Sequence, residues 1–286
     1  MRSATQLRKL FEAGRTIVAP GIADGLSARL VAQAGFEAVY ASGGAISRSA
    51  GIPDLGLLSA TEIVSRLESI VDVVELPVIA DADTGYGNAL NARRAVRAFE
   101  RAGVAALHLE DQTFPKKCGH YDDKSLVPVA EMVQKLKAAR DALHDPDFVL
   151  IARTDAIAVE GFEAAIDRAA AYVEAGADMV FVEAPTTEEQ IAEIARRVPG
   201  WKLINMFQGG QTPLLPTRRL AELGYQLVII PSDLQRAAIA AMRRALHCIA
   251  DDGSTAAMAG DMVTFKEREA VIGTEEYQEL DRRFEA

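Results

Sequence analysis

The sequence predicts a closed (β/α)8 barrel of the TIM type, followed by a C-terminal helical extension. Three observations lead to this prediction: four segments share a glycine–apolar repeat, eight apolar segments have the length of buried strands, and helical spacing separates most of them. Alternating strands and helices form a parallel sheet with helical crossovers. Eight such units favour a barrel, although a doubly wound open sheet would show the same alternation.

The repeated segments each contain a glycine, two or three further residues, and then a short apolar run. Glycine after a helical stretch is a common helix stop because it adopts the left-handed conformation without strain. An unbroken apolar run is typical of a strand that is buried on both faces, as parallel strands are. The four helix–glycine–strand junctions are residues 34–43, 102–111, 175–184 and 223–232.

The remaining strands and helices are predicted from apolar runs and from helical periodicity. The four other candidate strands are residues 16–20, 77–81, 148–152 and 202–206. The candidate helices are residues 1–14, 26–34, 89–102, 162–174, 187–196 and 217–223.

Beyond Ser232 the pattern is helical only. The predicted helices there cover residues 234–250, about 260–269, and 274–284. We therefore expect one barrel domain over residues 1–286, with residues 234–286 as a helical extension within it. Such an extension packs on its own barrel or on a neighbouring subunit.

Composition and charge exclude several classes of protein. The chain is 49% hydrophobic and carries a net charge of −10 without a long basic run, so nucleic acid is not an expected partner. No apolar run has the length of a membrane span. Two cysteines cannot build a disulfide framework, which favours a reducing cytoplasm.

Acidic side chains stand at the carboxyl ends of three predicted strands, where a barrel places its active groups. They are Asp81, Asp83, Glu110 and Glu183. Carboxylates held together repel one another unless a cation lies among them or one of them is protonated. Oxygen-only ligands favour Mg²⁺ or Mn²⁺. The alternative is that these acids cap the helices that follow.

Two further strand ends can bind an anion. Arg153 ends an apolar strand, where it pairs either with the acidic cluster or with a substrate carboxylate. The backbone N–H groups of Ser42, Gly43 and Gly44 can form a nest for an anionic oxygen, although the same three residues are common in flexible turns.

The longest non-periodic stretch is residues 112–128, and a loop of this length in a compact domain is more often functional than idle. It contains Cys118, whose neighbours Lys116, Lys117 and His120 favour the thiolate. Cys118 is therefore a candidate general acid–base group. By contrast, Cys248 and His108 lie in a predicted helix and strand, where we interpret them as structural.

At these residues the sequence resembles the isocitrate lyase/phosphoenolpyruvate mutase superfamily, and in particular its lyase branch. The loop motif is Lys-Lys-Cys-Gly-His, and the likeness runs from about Gly14 to the C-terminal helices. The motifs that carry it are residues 116–120, 109–112, 81–87 and 152–156, with 42–44 and 51–56 in support.

The resemblance implies a barrel whose last helix is exchanged between subunits, usually within a homotetramer. It implies Mg²⁺ bound through Asp81 and Asp83, with Asp54 and Glu110 in support. It also implies that the loop carrying Cys118 closes over a small-molecule substrate.

The activity implied by the resemblance is retro-aldol cleavage of a 2-hydroxy di- or tricarboxylate of the 2-methylisocitrate or 2,3-dimethylmalate type. The products are an α-keto acid, pyruvate or glyoxylate, and a second carboxylic acid. Alternatives on the same Mg²⁺–enolate platform are an oxaloacetate decarboxylase or hydrolase and a phosphonomutase, and a non-enzymatic alternative is a keto-acid sensor.

The resemblance also assigns roles to single residues. Cys118 would protonate the departing carbon. Ser42, Gly43, Gly44 and Arg153 would position the carboxylate of the keto-acid half, and Tyr40 would lie near the C2 oxygen. The residues expected to contact the substrate elsewhere are Gly119, His120, Glu183, Asn205, Thr212 and Gln208, the last of which stands where these lyases usually carry Glu.

Overall fold

A computed structural model describes residues 1–117 and 124–285. Its eight strands are all parallel, and each pairs with its neighbours in chain order until β8 pairs with β1. This closed sheet confirms the predicted (β/α)8 barrel and excludes the open sheet. The strands are β1 (Ile17–Ile22), β2 (Val39–Ala41), β3 (Val78–Asp81), β4 (Ala106–Glu110), β5 (Val149–Thr154), β6 (Met179–Val182), β7 (Trp201–Asn205) and β8 (Leu227–Ile230).

Helices surround the barrel and extend past its last strand. Up to β5 they are α1 (Ser3–Glu12), α2 (Gly25–Gln33), α3 (Gly43–Ser49), α4 (Ala60–Val71), α5 (Ala89–Arg101) and α6 (Val129–Ala142). The later ones are α7 (Ala156–Glu160), α8 (Phe162–Glu174), α9 (Glu188–Arg197), α10 (Thr217–Leu223), α11 (Asp233–Asp252), α12 (Phe265–Ile272) and α13 (Thr274–Phe284).

Two differences from the predicted elements affect the site. Strand β5 continues to Thr154, so Arg153 lies within the strand and not at its end. The segment from Ser42 to Gly44, predicted to be an anion nest or a flexible turn, instead begins α3 at Gly43. The Ser42 side chain caps this helix by accepting a hydrogen bond from Ala45 N. Ser42 is therefore an N-cap, a role in which serine satisfies a free backbone N–H.

The inside of the barrel is filled by apolar side chains, and α1 closes its lower end. Leu7 and Phe11 of α1 are fully buried against the first residues of the strands. Arg8, on the same helix, donates hydrogen bonds to the Phe148 carbonyl and to Asp178, at the entrances to β5 and β6. With the lower end closed, the upper end is where ligands can enter.

Two further apolar clusters join the outer face of the sheet to the helices. One contains Leu67, Phe99 and Leu136. The other contains Ile166 and Tyr225. These clusters fix the strands from outside, so the strand ends at the upper rim are held in register.

The C-terminal helices differ from the rest in their exposure. None of the described residues of α11 is buried, although it carries apolar side chains along its length. Leu246 is 64% exposed and Met242 is 56% exposed. None of the helices in the described part of the chain has both the length and the apolar character needed to cross a bilayer.

We predict that Gly21→Ala lowers the free energy of unfolding by about 1–3 kcal/mol, the usual cost of overpacking a filled interior. A Cβ atom at Gly21 would lie 2.3 Å from the carbonyl oxygen of Pro231, which follows β8. Urea denaturation followed by circular dichroism measures the change. Gly260→Ala is the matched control because a Cβ atom there meets nothing within 4 Å. An equal loss in both variants would contradict a steric cause.

Candidate active site

The upper ends of the strands enclose a cavity of about 90 Å³. The parallel strands bring to it side chains that are far apart in the sequence, as the barrel prediction requires. The predicted site residues that line it are Tyr40, Ser42, Gly44, Asp54, Asp81, Arg153, Glu183 and Asn205.

Asp81 and Asp83 lie together, but not for the reason expected. We predicted that alternation along one strand points both side chains the same way, whereas β3 ends at Asp81. Asp83 lies beyond the strand with a φ of 46°, in the left-handed region. This turn lets its backbone N–H donate to Asp81 Oδ1 at 3.0 Å. A local backbone turn therefore brings the pair together.

The two carboxyls have opposite pKa shifts. Burial, together with the nearby charges of Asp81 and Asp54, raises the pKa of Asp83 to about 6. Burial also acts to raise the pKa of Asp81, but His108 and Lys116 outweigh it and lower that pKa to about 2. Asp81 is therefore the more strongly anionic member of the pair.

Lys116 supplies a cation among these acids. Its side chain is 5% exposed, and its Nζ contacts Asp54 Oδ1 and lies 2.9 Å from Asp83 Oδ1. Burial acts to lower the pKa of Lys116, but Asp83 and Asp81 raise it well above its ordinary value, so the ammonium stays charged. The sequence analysis placed Lys116 only beside Cys118, because no local pattern shows a contact across 62 residues.

Arg153 is the second cation, and it also lines the cavity. Its guanidinium donates to both oxygens of Asp155, at 2.9 and 3.1 Å. It also lies 3.3 Å from Glu110 Oε2 and 3.4 Å from Glu183 Oε2. The face of Phe181 lies against it at 5.1 Å. In this structure Arg153 thus pairs with the acids and still borders the cavity.

The acids therefore separate into two groups, each with its own cation. Within residues 1–117 and 124–285, no three His, Cys, Asp or Glu side chains are arranged as a metal-binding cluster. The predicted acids lie at one rim, and cations are paired with them. Lys116 contacts Asp54 and Asp83, and Arg153 lies near Glu110 and Glu183. Glu110 Oε1 is nevertheless buried and accepts no hydrogen bond from any described residue.

Asp155 is a site residue to which the sequence analysis assigned no role. It accepts from Lys124 Nζ at 2.8 Å as well as from Arg153, so it fixes the direction of the guanidinium. Burial acts to raise the pKa of Asp155, but Arg153 and Lys124 outweigh it and lower that pKa. The spacing from Arg153 to Asp155 was the available signal, since residues two apart share one face of a strand.

A buried network behind the site holds this arrangement. Asp111 accepts hydrogen bonds from Thr154 Oγ1 at 2.7 Å and from Asp155 N at 3.0 Å. Tyr172 OH and Arg168, both on α8, also reach Asp111, at 2.8 and 3.3 Å. The end of β5 is thus tied to the neighbouring helix through one carboxylate.

Tyr40 lines the cavity, and its hydroxyl contacts the buried His108. Tyr40 OH lies 2.9 Å from His108 Nε2 and 3.4 Å from Asp81 Oδ2. Burial lowers the pKa of His108 to about 4 and raises that of Tyr40, so both are neutral at pH 7. His108 was interpreted as structural, and the structure shows that it also contacts a predicted site residue.

The two glycines after Ser42 are required by the close approach of the acids. A Cβ atom at Gly43 would lie 2.8 Å from Asp81 Oδ2, and one at Gly44 would lie 2.8 Å from Asp54 Oδ2. Larger residues at these positions would displace the carboxylates. The glycine pair thus sets the width of the site.

The remaining predicted residues have different positions. Asn205 borders the cavity, whereas Thr212 is buried but is not among the described residues that line it. Gln208 is exposed, and its backbone carbonyl accepts from Arg236. The predictions for Cys118, Gly119 and His120 lie outside the described residues.

Comparison with known proteins gives consistent matches over nearly the whole chain. A family model described as phosphoenolpyruvate phosphomutase matches residues 7–250. The chain is 44% identical over 285 residues to the 2,3-dimethylmalate lyase of Eubacterium barkeri, covering 99% of each chain. It is 42% identical over 279 residues to the 2-methylisocitrate lyase of Bacillus subtilis, covering 98% of this chain and 92% of the relative.

Solved structures show the same fold. A crystal structure of 2,3-dimethylmalate lyase, described as a PEP mutase/isocitrate lyase superfamily member, superposes with a TM-score of 0.93 at 36% identity, covering 99% of this chain and 95% of that one. The complex of a phosphonopyruvate hydrolase with oxalate and Mg²⁺ superposes with a TM-score of 0.91 at 33% identity, covering 99% of both chains.

We predict that Glu110→Gln raises the free energy of unfolding at pH 7 in the presence of a chelator. Burial raises the pKa of Glu110 well above its ordinary value of 4.5. The unfolded chain therefore ionises Glu110 at lower pH than the folded chain, and stability falls as pH rises between the two pKa values. The variant should lose this decline, as urea titrations from pH 4 to pH 8 would show.

The matched control is Glu163→Gln, since Glu163 is exposed and its pKa is lowered by Arg197. It should leave the stability unchanged or slightly reduce it near neutral pH. A Glu110→Gln chain that is less stable than the wild type at pH 7 would show that the Arg153 pair outweighs the burial of Glu110.

Proposed function

Because the chain belongs to the phosphoenolpyruvate mutase/isocitrate lyase superfamily, we propose that it is a carbon–carbon bond lyase acting on a 2-hydroxy di- or tricarboxylate. The substrate is of the 2,3-dimethylmalate or 2-methylisocitrate type. The products are an α-keto acid, pyruvate or glyoxylate, and a second carboxylic acid.

The observation that carries this proposal is the pairing of opposite charges across one cavity. Asp81 and Arg153 both line the cavity, and Asp83 lies next to Asp81. A guanidinium fork matches a carboxylate, and a carboxylate pair suits a hard divalent cation. A substrate that carries both a carboxylate and a hydroxyl can therefore span the site.

The site residues fit Mg²⁺, with Mn²⁺ as an alternative. The donor set contains only carboxylate oxygens, and Mg²⁺ keeps several waters, so one or two direct carboxylates suffice. We propose that Asp81 and Asp83 hold the ion, and that Asp54 and Glu110 support it; the bare Glu110 Oε1 is consistent with this. When bound, Mg²⁺ supplies Lewis-acid stabilisation of negative charge on oxygen.

The chain's own groups bind the keto-acid half. Arg153 binds its carboxylate, and Asp155 fixes the direction of the fork from below. Gly43 and Gly44 offer backbone N–H groups beside Asp81, and Ser42 sets their position by capping α3. The substrate carboxylate then replaces one of the acids now facing Arg153.

Other lining residues act on the remainder of the substrate. Tyr40 stays protonated and donates a hydrogen bond towards the C2 oxygen, with neutral His108 behind it. Glu183 and Asn205 border the second half of the substrate. We also propose that Gln208 and Thr212 contact this half, which requires their segment to approach the cavity.

Cys118 completes the reaction. As the C2–C3 bond breaks, its electron pair passes to the departing carbon and the C2 oxygen becomes the keto oxygen. The Cys118 thiol protonates that carbon, and the hydroxyl proton is released to solvent. The Cys118 thiolate takes up a proton from solvent before the next turnover, so no net proton is consumed. Gly119 and His120 contact the substrate from the same loop, which excludes water when it covers the site.

We also propose that the chain assembles as a homotetramer, in which the last helices pass between subunits, and that it acts in the cytoplasm. The apolar residues of α11 support the assembly. Ile239, Met242, Leu246 and Ile249 are all at least partly exposed and recur at helical spacing, so they form one stripe. A second copy of the chain would cover it. The cysteine content fits a reducing compartment.

We predict that the purified chain releases a keto acid from 2,3-dimethylmalate or 2-methylisocitrate only when Mg²⁺ is present. The range of substrates is tested with a panel that also contains isocitrate, other 2-alkylmalates and oxaloacetate. Keto-acid release is measured by coupled reduction, and the products are identified. Carbon dioxide with pyruvate, or a phosphonate product from a phosphorylated substrate, would instead assign one of the alternative reactions.

We predict that Cys118→Ser lowers kcat by at least about a hundredfold, the range of a general acid–base contribution. Binding of the keto-acid product should persist, since Arg153 and the Asp81 side of the site are unchanged. Steady-state kinetics and calorimetry measure the two effects. Cys248→Ser is the control, because Cys248 lies on α11 away from the barrel mouth. Turnover of Cys118→Ser near the wild-type value would contradict the assignment.

A further inference from the structure

We propose that Lys116 is a displaceable cation: it holds the metal-site carboxylates when no metal is bound, and it leaves them when a divalent cation binds. This inference rests on the proposed function for the identity of the cation. It goes beyond that function in assigning to Lys116 a role as the counter-cation that a bound metal ion displaces.

Lys116 and a divalent ion would compete for the same carboxylates. Lys116 Nζ contacts Asp54 Oδ1 and lies 2.9 Å from Asp83 Oδ1. A divalent ion on Asp83 would place its charge next to an ammonium that is withdrawn from solvent, where screening is weak. Repulsion between the two cations therefore favours withdrawal of the ammonium.

The acids require a cation whenever they are ionised. Asp54 and Asp81 are buried, and Asp83 is within hydrogen-bond reach of both Lys116 and Asp81. Unpaired buried carboxylates would strongly destabilise the fold. A lysine is suited to serve as the replaceable partner because its stem has four rotatable carbons and its charge is compact.

The cavity is small while the Lys116 side chain lies in its wall. Lys116 lines the cavity, whose volume is about 90 Å³. Sites for small molecules and cofactors are usually several times larger, about 300–1,000 Å³. Withdrawal of the Lys116 side chain enlarges the cavity on the side of the metal. The same movement therefore admits both the cation and the substrate.

The backbone next to Lys116 is held independently of its side chain. Lys117 is fixed by its backbone, since Gln112 accepts from its N–H at 3.0 Å and donates to its carbonyl at 2.9 Å. This anchor does not use the Lys116 side chain. The side chain can therefore leave the carboxylates while the backbone at Lys117 keeps its contacts.

Lysine footprinting on the wild-type full chain tests the proposal without any turnover. The chain is treated with an amine-acylating reagent, with and without saturating Mg²⁺ and without substrate, and labelled lysines are identified by mass spectrometry. Labelling of Lys116 should rise at least about fivefold with Mg²⁺, since the buried ammonium becomes accessible. Lys135 is the internal control, because it is equally buried but contacts Thr84 and Glu131.

Calorimetric Mg²⁺ binding to variants provides the second measurement. Lys116→Met should bind Mg²⁺ at least about tenfold more tightly than the wild type, because no ammonium has to be displaced. Lys117→Met removes the same charge one residue away and should change the affinity by less than about threefold. Lys116→Gln removes the charge but keeps a hydrogen-bond donor for Asp54. It replaces Lys116→Met in the Mg²⁺ titration if the methionine variant does not fold without metal.

The outcomes separate this inference from the proposed function. The displacement of Lys116 is wrong if Mg²⁺ binds but Lys116 stays unlabelled. It is also wrong if Lys116→Met binds Mg²⁺ no more tightly than Lys117→Met does. Neither result contradicts the proposed lyase activity. If no Mg²⁺ binds to the wild type or to either Lys116 variant, both the displacement and the metal part of the proposed function fail.

Discussion

The balance between buried carboxylates and cations at the barrel mouth is the constraint on which the rest of the structure depends. Acids from several strand ends and from the loop before α4 are brought within a few ångströms of one another. Such a group is stable only if cations neutralise it or protons remain bound. Lys116 serves one side and Arg153 serves the other. The site is therefore charged but internally paired.

The same pairing explains how the protein can bind an anion in spite of its net charge of −10. The field at the mouth is set by the nearest groups, because a low-dielectric pocket weights short distances. Arg153 faces the cavity with its fork already aligned by Asp155. In the proposed function a substrate carboxylate exchanges with an acid that is already there, so the guanidinium does not have to be desolvated anew.

Buried contacts behind the site hold these charged groups in position. The end of β5 is tied through Asp111 to Arg168 and Tyr172 on α8, so the strand end moves only with the helix. On the other side, Gly43 and Gly44 let Asp81 and Asp54 approach the backbone of α3. Rigid elements thus hold the groups that we propose to contact substrate, as a catalytic site requires.

The sequence alone determined the barrel and most of its elements, because each helix–glycine–strand unit carries its own local signal in periodicity and turn chemistry. It also placed Asp81, Arg153, Glu183 and Asn205 at one rim, since parallel strands must present their ends together. Local pattern could not show that Asp83 reaches its partner through a left-handed turn and not through strand alternation.

Only the tertiary structure decided which charge neutralises which. Lys116 and Asp54 are 62 residues apart, and nothing in the sequence near either one encodes their contact. The support that Asp155 and Asp111 give to Arg153 also depends on contacts that no local sequence pattern encodes. Pairing energies depend on distance and burial, and both quantities exist only after the chain has closed into a barrel.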